Sequence, residues 1–201
     1  MARVQGVKEK LHSPIYDAFF VKSSEKVQDA INRQDPRMIR FFVDVQSKTK
    51  LETNLQSSGV LPSLNTFECR AMRVLVSPVD KANNANVLTS DILAQLIYNS
   101  VTSLLVGEKI MIEMPTYWFP AGAGVSPGND NVSNLGEPDA MATFRFAEPV
   151  PIEPQQNFRV EMAFPQGVPG SSTTSPSGLA GVTGPLRIWV VLDGYLTRDV
   201  Q

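Results

Sequence analysis

The chain has 201 residues, 42% hydrophobic and 19% charged, which is enough apolar material for one ordinary core or two small ones and too much for global disorder. Eighteen Lys and Arg against twenty Asp and Glu leave a net charge of -2 without a basic excess, which argues against a general nucleic-acid binder. One cysteine and one histidine exclude an intrachain disulfide, a His/Cys zinc site and the His-rich centre of a cupin enzyme, and no apolar run approaches a membrane span.

The start, MARVQGVKEKLHSPIYD, lacks the apolar core of a secretory signal, so folding in a cytoplasm is expected. Residues 1–36 carry scattered hydrophobics, a polar Ser23-Ser24-Glu25-Lys26 and a closing break at Asp35-Pro36. A short helix over Asp17 to Asn32 has only the thin face Phe20, Val27 and Ile31, so the segment reads as an arm lying on something else. Its six basic and five acidic side chains make it a weak candidate for entering nucleic acid.

From Arg37 onward the period is two, and residues 37–201 read as a single β-sandwich domain. RMIRFFVDV aligns Ile39, Phe41, Val43 and Val45 on one face. TFECRAMRVLVSP puts Glu68 and Arg70 on one face but Arg73 on the other, which a bulge near Ala71-Met72 would repair. TSDILAQLIYNS is the one clear helical pattern, with caps at Thr89, Ser90 and Asp91 and an apolar face of Ile92, Leu93, Leu96 and Ile97. VTSLLVGEKIMIEMP reads as two strands about Gly107-Glu108. ATFRFA pairs Phe144 with Phe146 across Arg145. NFRVEMAF alternates Phe158, Val160, Met162 and Phe164 against Asn157, Arg159 and Glu161. PLRIWVVLDG alternates Leu186, Ile188, Val190 and Leu192 against Arg187, Trp189, Val191 and Asp193. The expected fold is all-β: an antiparallel, jelly-roll-like β-sandwich of about eight strands, with one short helix and an extended N-terminal arm.

Residues 164–185, FPQGVPGSSTTSPSGLAGVTGP, hold no ionisable side chain. They join NFRVEMAF to PLRIWVVL, so they read as a loop between two strands and not as a linker between domains. Residues 119–140 have the same character.

A search for chemistry returns little. His12 reads as a surface histidine and Cys69 as a buried inert thiol. No phosphate-loop spacing or G-x-S-x-G elbow is present. Glu113, Glu148, Glu153 and Glu161 are the candidates for a glycosidase-type carboxylate pair, but Glu148 and Glu153 flank a proline-rich corner, EPVPIEP, and solvated surface carboxylates are the plainer reading. MPTYWFPAGAG places Tyr117, Trp118 and Phe119 in a row, which as a short strand would set aromatics on both faces, for core packing with a partner contact or for a sugar platform.

Three stretches, MPTYWFPAGAGVS, FAEPVPIEPQQNFRVEM and GPLRIWVVLDGYLTRDVQ, together resemble single β-sandwich structural proteins of bacteriophage virions, of the capsid or capsid-decorating type. The resemblance covers about residues 100–201 and lies in the texture of strands and loops. It implies a non-enzymatic virion protein, made in the host cytoplasm, with no cofactor, no metal and no catalytic residue. The partners it implies are copies of the same chain, as a trimer, and other virion proteins, without direct nucleic-acid or membrane binding. The residues expected at assembly contacts are Tyr117, Trp118, Val125, Ser172, Thr173, Leu179, Trp189 and Val191. The competing reading is a glycan- or receptor-binding β-sandwich of a phage tail or fibre.

Overall fold

The computed structural model describes residues 8–77, 80, 82–84, 95–119, 143–169 and 179–199. Across them the chain forms two antiparallel sheets packed as a sandwich. In the first, β1 (Lys8–His12) and β2 (Ile15–Val21) lie end to end along one side of β9 (Leu186–Asp199). On its other side run β4 (Thr66–Val76) and then β7 (Arg145–Ile152). The second sheet is ordered β3 (Met38–Phe41), β8 (Phe158–Ala163), β5 (Val101–Val106) and β6 (Lys109–Pro115). With β1 and β2 counted as one broken strand, the first pairs with the last, the second with the next to last, and so inward to the hairpin β5–β6. That order is a jelly roll.

Alternation produces the core. Phe158, Val160 and Met162 of β8 and Leu186, Ile188, Val190 and Leu192 of β9 are at most 1% exposed. Each contributes about 1.5–3 kcal/mol by leaving water. Gly107, at φ +60°, is the first central residue of the β5–β6 turn, the left-handed position that primed hairpin turns require. The β4 bulge falls between Cys69 and Ala71, one residue ahead of its expected place. Gly194 of β9 lies opposite Cys69, where a Cβ would stand 2.1 Å from the Glu68 carbonyl oxygen, so the bulge and the glycine are one device for bringing the two backbones together.

Several expectations are corrected. Residues 8–36 are not an arm. Ile15, Ala18, Phe19 and Val21 of β2 are buried, as are Val27, Ala30 and Ile31 on one face of α1 (Val27–Gln34). The strand escapes notice because its core-facing row, Ile15, Asp17, Phe19 and Val21, contains an aspartate, and that charge breaks the period-two pattern. α1 ends at Gln34, because its C-cap Asp35 is held extended by the following Pro36. EPVPI is not a corner but the body of β7, and its prolines are tolerated because β7 is an edge strand. The face begun by Ile39 and Phe41 stops at Phe42, which turns the chain at φ +68°. Phe42 is buried there and Val43 is exposed. Of the helix expected at 89–100, residues 95–98 are helical with Leu96 and Ile97 buried, while 89–94 fall outside the described residues.

Asp17 is wholly buried. It accepts the Phe42 N–H at 2.6 Å and two bonds from Lys48 Nζ at 2.8 and 2.9 Å. The connection that carries Lys48 then lies against β2: Tyr16 N donates to Asn54 Oδ1 at 3.0 Å, and Thr53 Oγ1 donates to the Tyr16 carbonyl at 3.0 Å. Burial raises the Asp17 pKa above 3.8, against the opposing pull of Lys48 and the Phe42 amide. Asp17→Ala should lose about 3–5 kcal/mol in urea unfolding, because Lys48 and the Phe42 amide lose their buried partner. A raised folded-state pKa means that the folded state holds the proton more tightly. The stability contributed by Asp17 is therefore full below 3.8 and lost as pH rises through its folded value. Wild type should gain on Asp17→Asn as pH falls from neutral towards 3.8, and a loss on acidification would refute the assignment.

Candidate interaction surface

The antiparallel order sorts the connections to two ends. Those after β2, β4, β6 and β8 (22–37, 77–100, 116–144 and 164–185) leave together, and hydrogen bonds join them. Val27 N donates to the Val182 carbonyl at 3.0 Å and Phe164 N to the Arg37 carbonyl at 2.8 Å, while the buried Asn84 exchanges two bonds with the Thr183 backbone. At the opposite end Gly107 N bonds Asn157 and Phe158 N bonds Gly59, each at 2.7 Å.

At the loop end, β6 stops at Pro115 and a 3-10 turn, Thr116–Trp118, replaces the expected short strand. Three buried hydroxyls fix it. Ser100 Oγ donates to Thr116 Oγ1 at 2.7 Å, Thr102 Oγ1 lies 2.7 Å from the same atom, and Thr116 N donates to the Ser100 carbonyl at 2.9 Å. Phe119 is buried, with its carbonyl accepting Val74 N at 3.1 Å from the other sheet. The turn therefore points one aromatic inward and two outward. Tyr117 is 46% and Trp118 50% exposed.

These two belong to a longer row. Tyr98, 67% exposed, lies 5.9 Å from Tyr117, which lies 6.2 Å from Trp118, and both pairs are tilted by 31°. Trp118 meets the edge of Phe144 at 6.3 Å, and Phe144 in turn contacts Phe119 and Phe146. The result is a shelf of rings rooted in the core and open to solvent. Tyr98 was missed in the sequence because it lies off the apolar face of its predicted helix, and that misplacement of a large ring was itself the available signal.

The remaining expected contact residues scatter. Val125, Ser172 and Thr173 lie outside the described residues. Leu179 is corrected: it opens a 3-10 turn, Leu179–Gly181, and is wholly buried in the core cluster, so it presents no contact surface. Trp189 and Val191 are half-buried on the outer face of the first sheet. Trp189 is paired with Ala18 and Leu75 on either side and donates its indole N–H to the Leu51 carbonyl at 3.1 Å. Arg187 beside it covers the Phe20 ring at 4.4 Å. The 49–53 turn thus meets much of the need that Trp189 was expected to meet on another subunit.

The chemistry candidates are equally dispersed. His12 is exposed, 2.6 Å from Asp193, which also accepts Arg73 at 3.2 Å. Burial pushes the Cys69 thiol far up, as an inert core cysteine requires. Glu68 is held below its ordinary value by hydrogen bonds from Lys10 and Arg70. Glu113, Glu148 and Glu153 are exposed, and Glu161 is engaged by Arg159 at 2.7 Å. A cleft of about 350 Å³ opens beside Arg40, Gly59, Asn157, Arg159 and Glu161, but Arg40 and Arg159 are committed to Asp35 and Glu161. Among the described residues no group of three or more His, Cys, Asp or Glu side chains is placed to hold a metal, and no helix is long and apolar enough to cross a membrane. Comparison with protein-family models and with curated proteins finds no match to this chain.

The hydroxyl hub and the rings above it should separate cleanly in mutants. Thr116→Val removes the shared partner of Ser100 and Thr102 and should cost about 1–3 kcal/mol in thermal or urea unfolding. Tyr117→Ser, with its side chain in water, should change stability by less than about 1 kcal/mol.

Proposed function

We propose that the chain is a structural subunit of a bacteriophage particle, a capsid protein or a protein that decorates the capsid, made in the host cytoplasm and acting through self-assembly without catalysis. The observation that carries this reading is the jelly-roll strand order, an architecture used by viral capsid proteins. Three further features support it. Four long connections leave the sheets from one end, where copies can meet. One stretch of them, 165–184, holds no charged side chain and costs little to desolvate. The subunit is also close to neutral, so packed copies repel little. The proposed partners are identical subunits in a threefold arrangement and other virion proteins.

A second reading, glycan or receptor binding, is favoured by one feature. Tyr98, Tyr117 and Trp118 form an open row of rings tilted by only 31° at each step, a surface on which sugar faces stack.

Mass photometry and electron microscopy of the purified protein, wild type and Tyr117→Ser/Trp118→Ser, distinguish the two. The structural reading expects closed oligomers or particles that the double variant weakens about tenfold or more. A wild type that stays monomeric while binding glycan through the same two rings would replace it with the second reading.

A further inference from the structure

Tyr98 and Trp118 each meet the ring of Tyr117, at 5.9 and 6.2 Å, and do not meet each other, so the three rings stand in a row and not in a cluster. Each step along the row turns the ring plane by 31°. Elsewhere on the molecule exposed ring faces are taken by cations, with Lys10 and Arg70 over Tyr195 and Arg187 over Phe20. Among the described residues no cation lies over any ring of the row.

Polar groups adjoin one end of the row. Gln95, Tyr98 and Asn99 are spaced by three and four positions on one helical turn, so they share a side of it. Asn99 Nδ2 donates to the Gln95 carbonyl at 2.8 Å and to Gln95 Oε1 at 3.3 Å. Asn99 Oδ1 is left as an acceptor and Gln95 Nε2 as a donor, neither with a protein partner among the described residues. A neutral acceptor and a neutral donor held side by side match hydroxyl groups, each of which can give one hydrogen bond and take another.

We propose that this row binds a linear, β-linked oligosaccharide of glucose-type pyranoses, one unit to each ring, with Gln95 and Asn99 holding hydroxyls of the unit over Tyr98. The inference rests on the second reading above, in which these rings take sugar and not a neighbouring subunit. Steps of 5.9 and 6.2 Å are close to the length of one pyranose, so three rings call for a chain and not for a single sugar. A glucose-type unit carries its hydroxyls around its rim, which leaves flat C–H faces to lie on an aromatic face. A β linkage keeps successive units in line, and the 31° turn at each ring suits the gentle twist of such a chain. An α linkage coils the chain away from the second ring. Neither the two amides nor the three rings carry charge, so the ligand they fit is neutral.

The test is titration of the full chain with cellotriose, chitotriose, cellobiose and the α-linked maltotriose, followed by calorimetry or NMR, beside a printed glycan array. Thermal unfolding confirms that each variant is folded. Wild type should bind cellotriose or chitotriose more tightly than maltotriose by roughly tenfold or more, and Tyr117→Ser should weaken that binding by a similar factor. Tyr98→Ala shortens the row by one unit. It should remove the preference for cellotriose over cellobiose while leaving cellobiose affinity within about threefold, whereas a merely structural role for Tyr98 would lower both. Sugar binding that Tyr117→Ser leaves unchanged would place the ligand elsewhere and overturn the proposal. Maltotriose binding as tightly as cellotriose, or array binding confined to other linkages, would overturn it while leaving the second reading in place. An array that binds nothing would overturn both.

Discussion

Asp17 occupies a position on the core-facing row of β2 where an apolar side chain would ordinarily stand, and Lys48 and the Phe42 amide hold it there. Removing a carboxylate from water is costly, and the cost is offset only when its lone pairs are occupied, so the connection after β3 has to fold back over β2. Once it does, Thr53 and Asn54 line the β2 edge, Leu51 reaches the indole of Trp189, and Glu52 stands 4.0 Å from Arg187. One polar contact in the core thereby dresses an edge and part of an outer face of the first sheet.

The two ends of the sandwich divide the remaining work. The hairpin end is tied, with Gly107 and Gly59 bringing backbones to 2.7 Å of their partners. At the loop end, polar contacts among the described residues set Asn84 against Thr183 and Ser100 with Thr102 against Thr116. That arrangement keeps the rigid part of the molecule beneath the surface that displays aromatic rings. A shelf anchored through Phe119 and Phe144 holds Trp118, and through it Tyr117, against the core.

The strands with one wet face were legible because their periodicity reports burial directly, as in Phe158, Val160 and Met162, or Leu186 to Leu192. The β4 bulge was legible because Arg73 would otherwise have pointed inward. β2 was illegible for the converse reason: Asp17 on its core-facing row is satisfied by Lys48, thirty-one positions away, and a local pattern holds no trace of that partner. Prolines hid β7, because their cost depends on which side of the strand faces a neighbour, and strand order is not local information. Of the aromatic shelf, Tyr117 and Trp118 could be singled out from their run. Tyr98 and Phe144 join them only through a meeting of distant segments. Leu179 failed as a contact because an uncharged loop says nothing about which of its residues returns to the core.

β9 lies between β1 and β2 on one side and β4 on the other, yet it follows all of them in the chain. During synthesis, β1, β2 and β4 emerge without the strand against which they hydrogen-bond, and their apolar rows wait for residues 186–199 to leave the ribosome. The first sheet therefore cannot form progressively from the N-terminus. It forms late, through contacts of long sequence separation, which are slow to close. Until then the second sheet is the more complete half, since β3, β5, β6 and β8 have all emerged before β9 begins. A cell making many copies at once would carry a standing pool of half-sandwiches with one apolar face uncovered, and the rate of chain completion would set how long each is at risk of sticking to another.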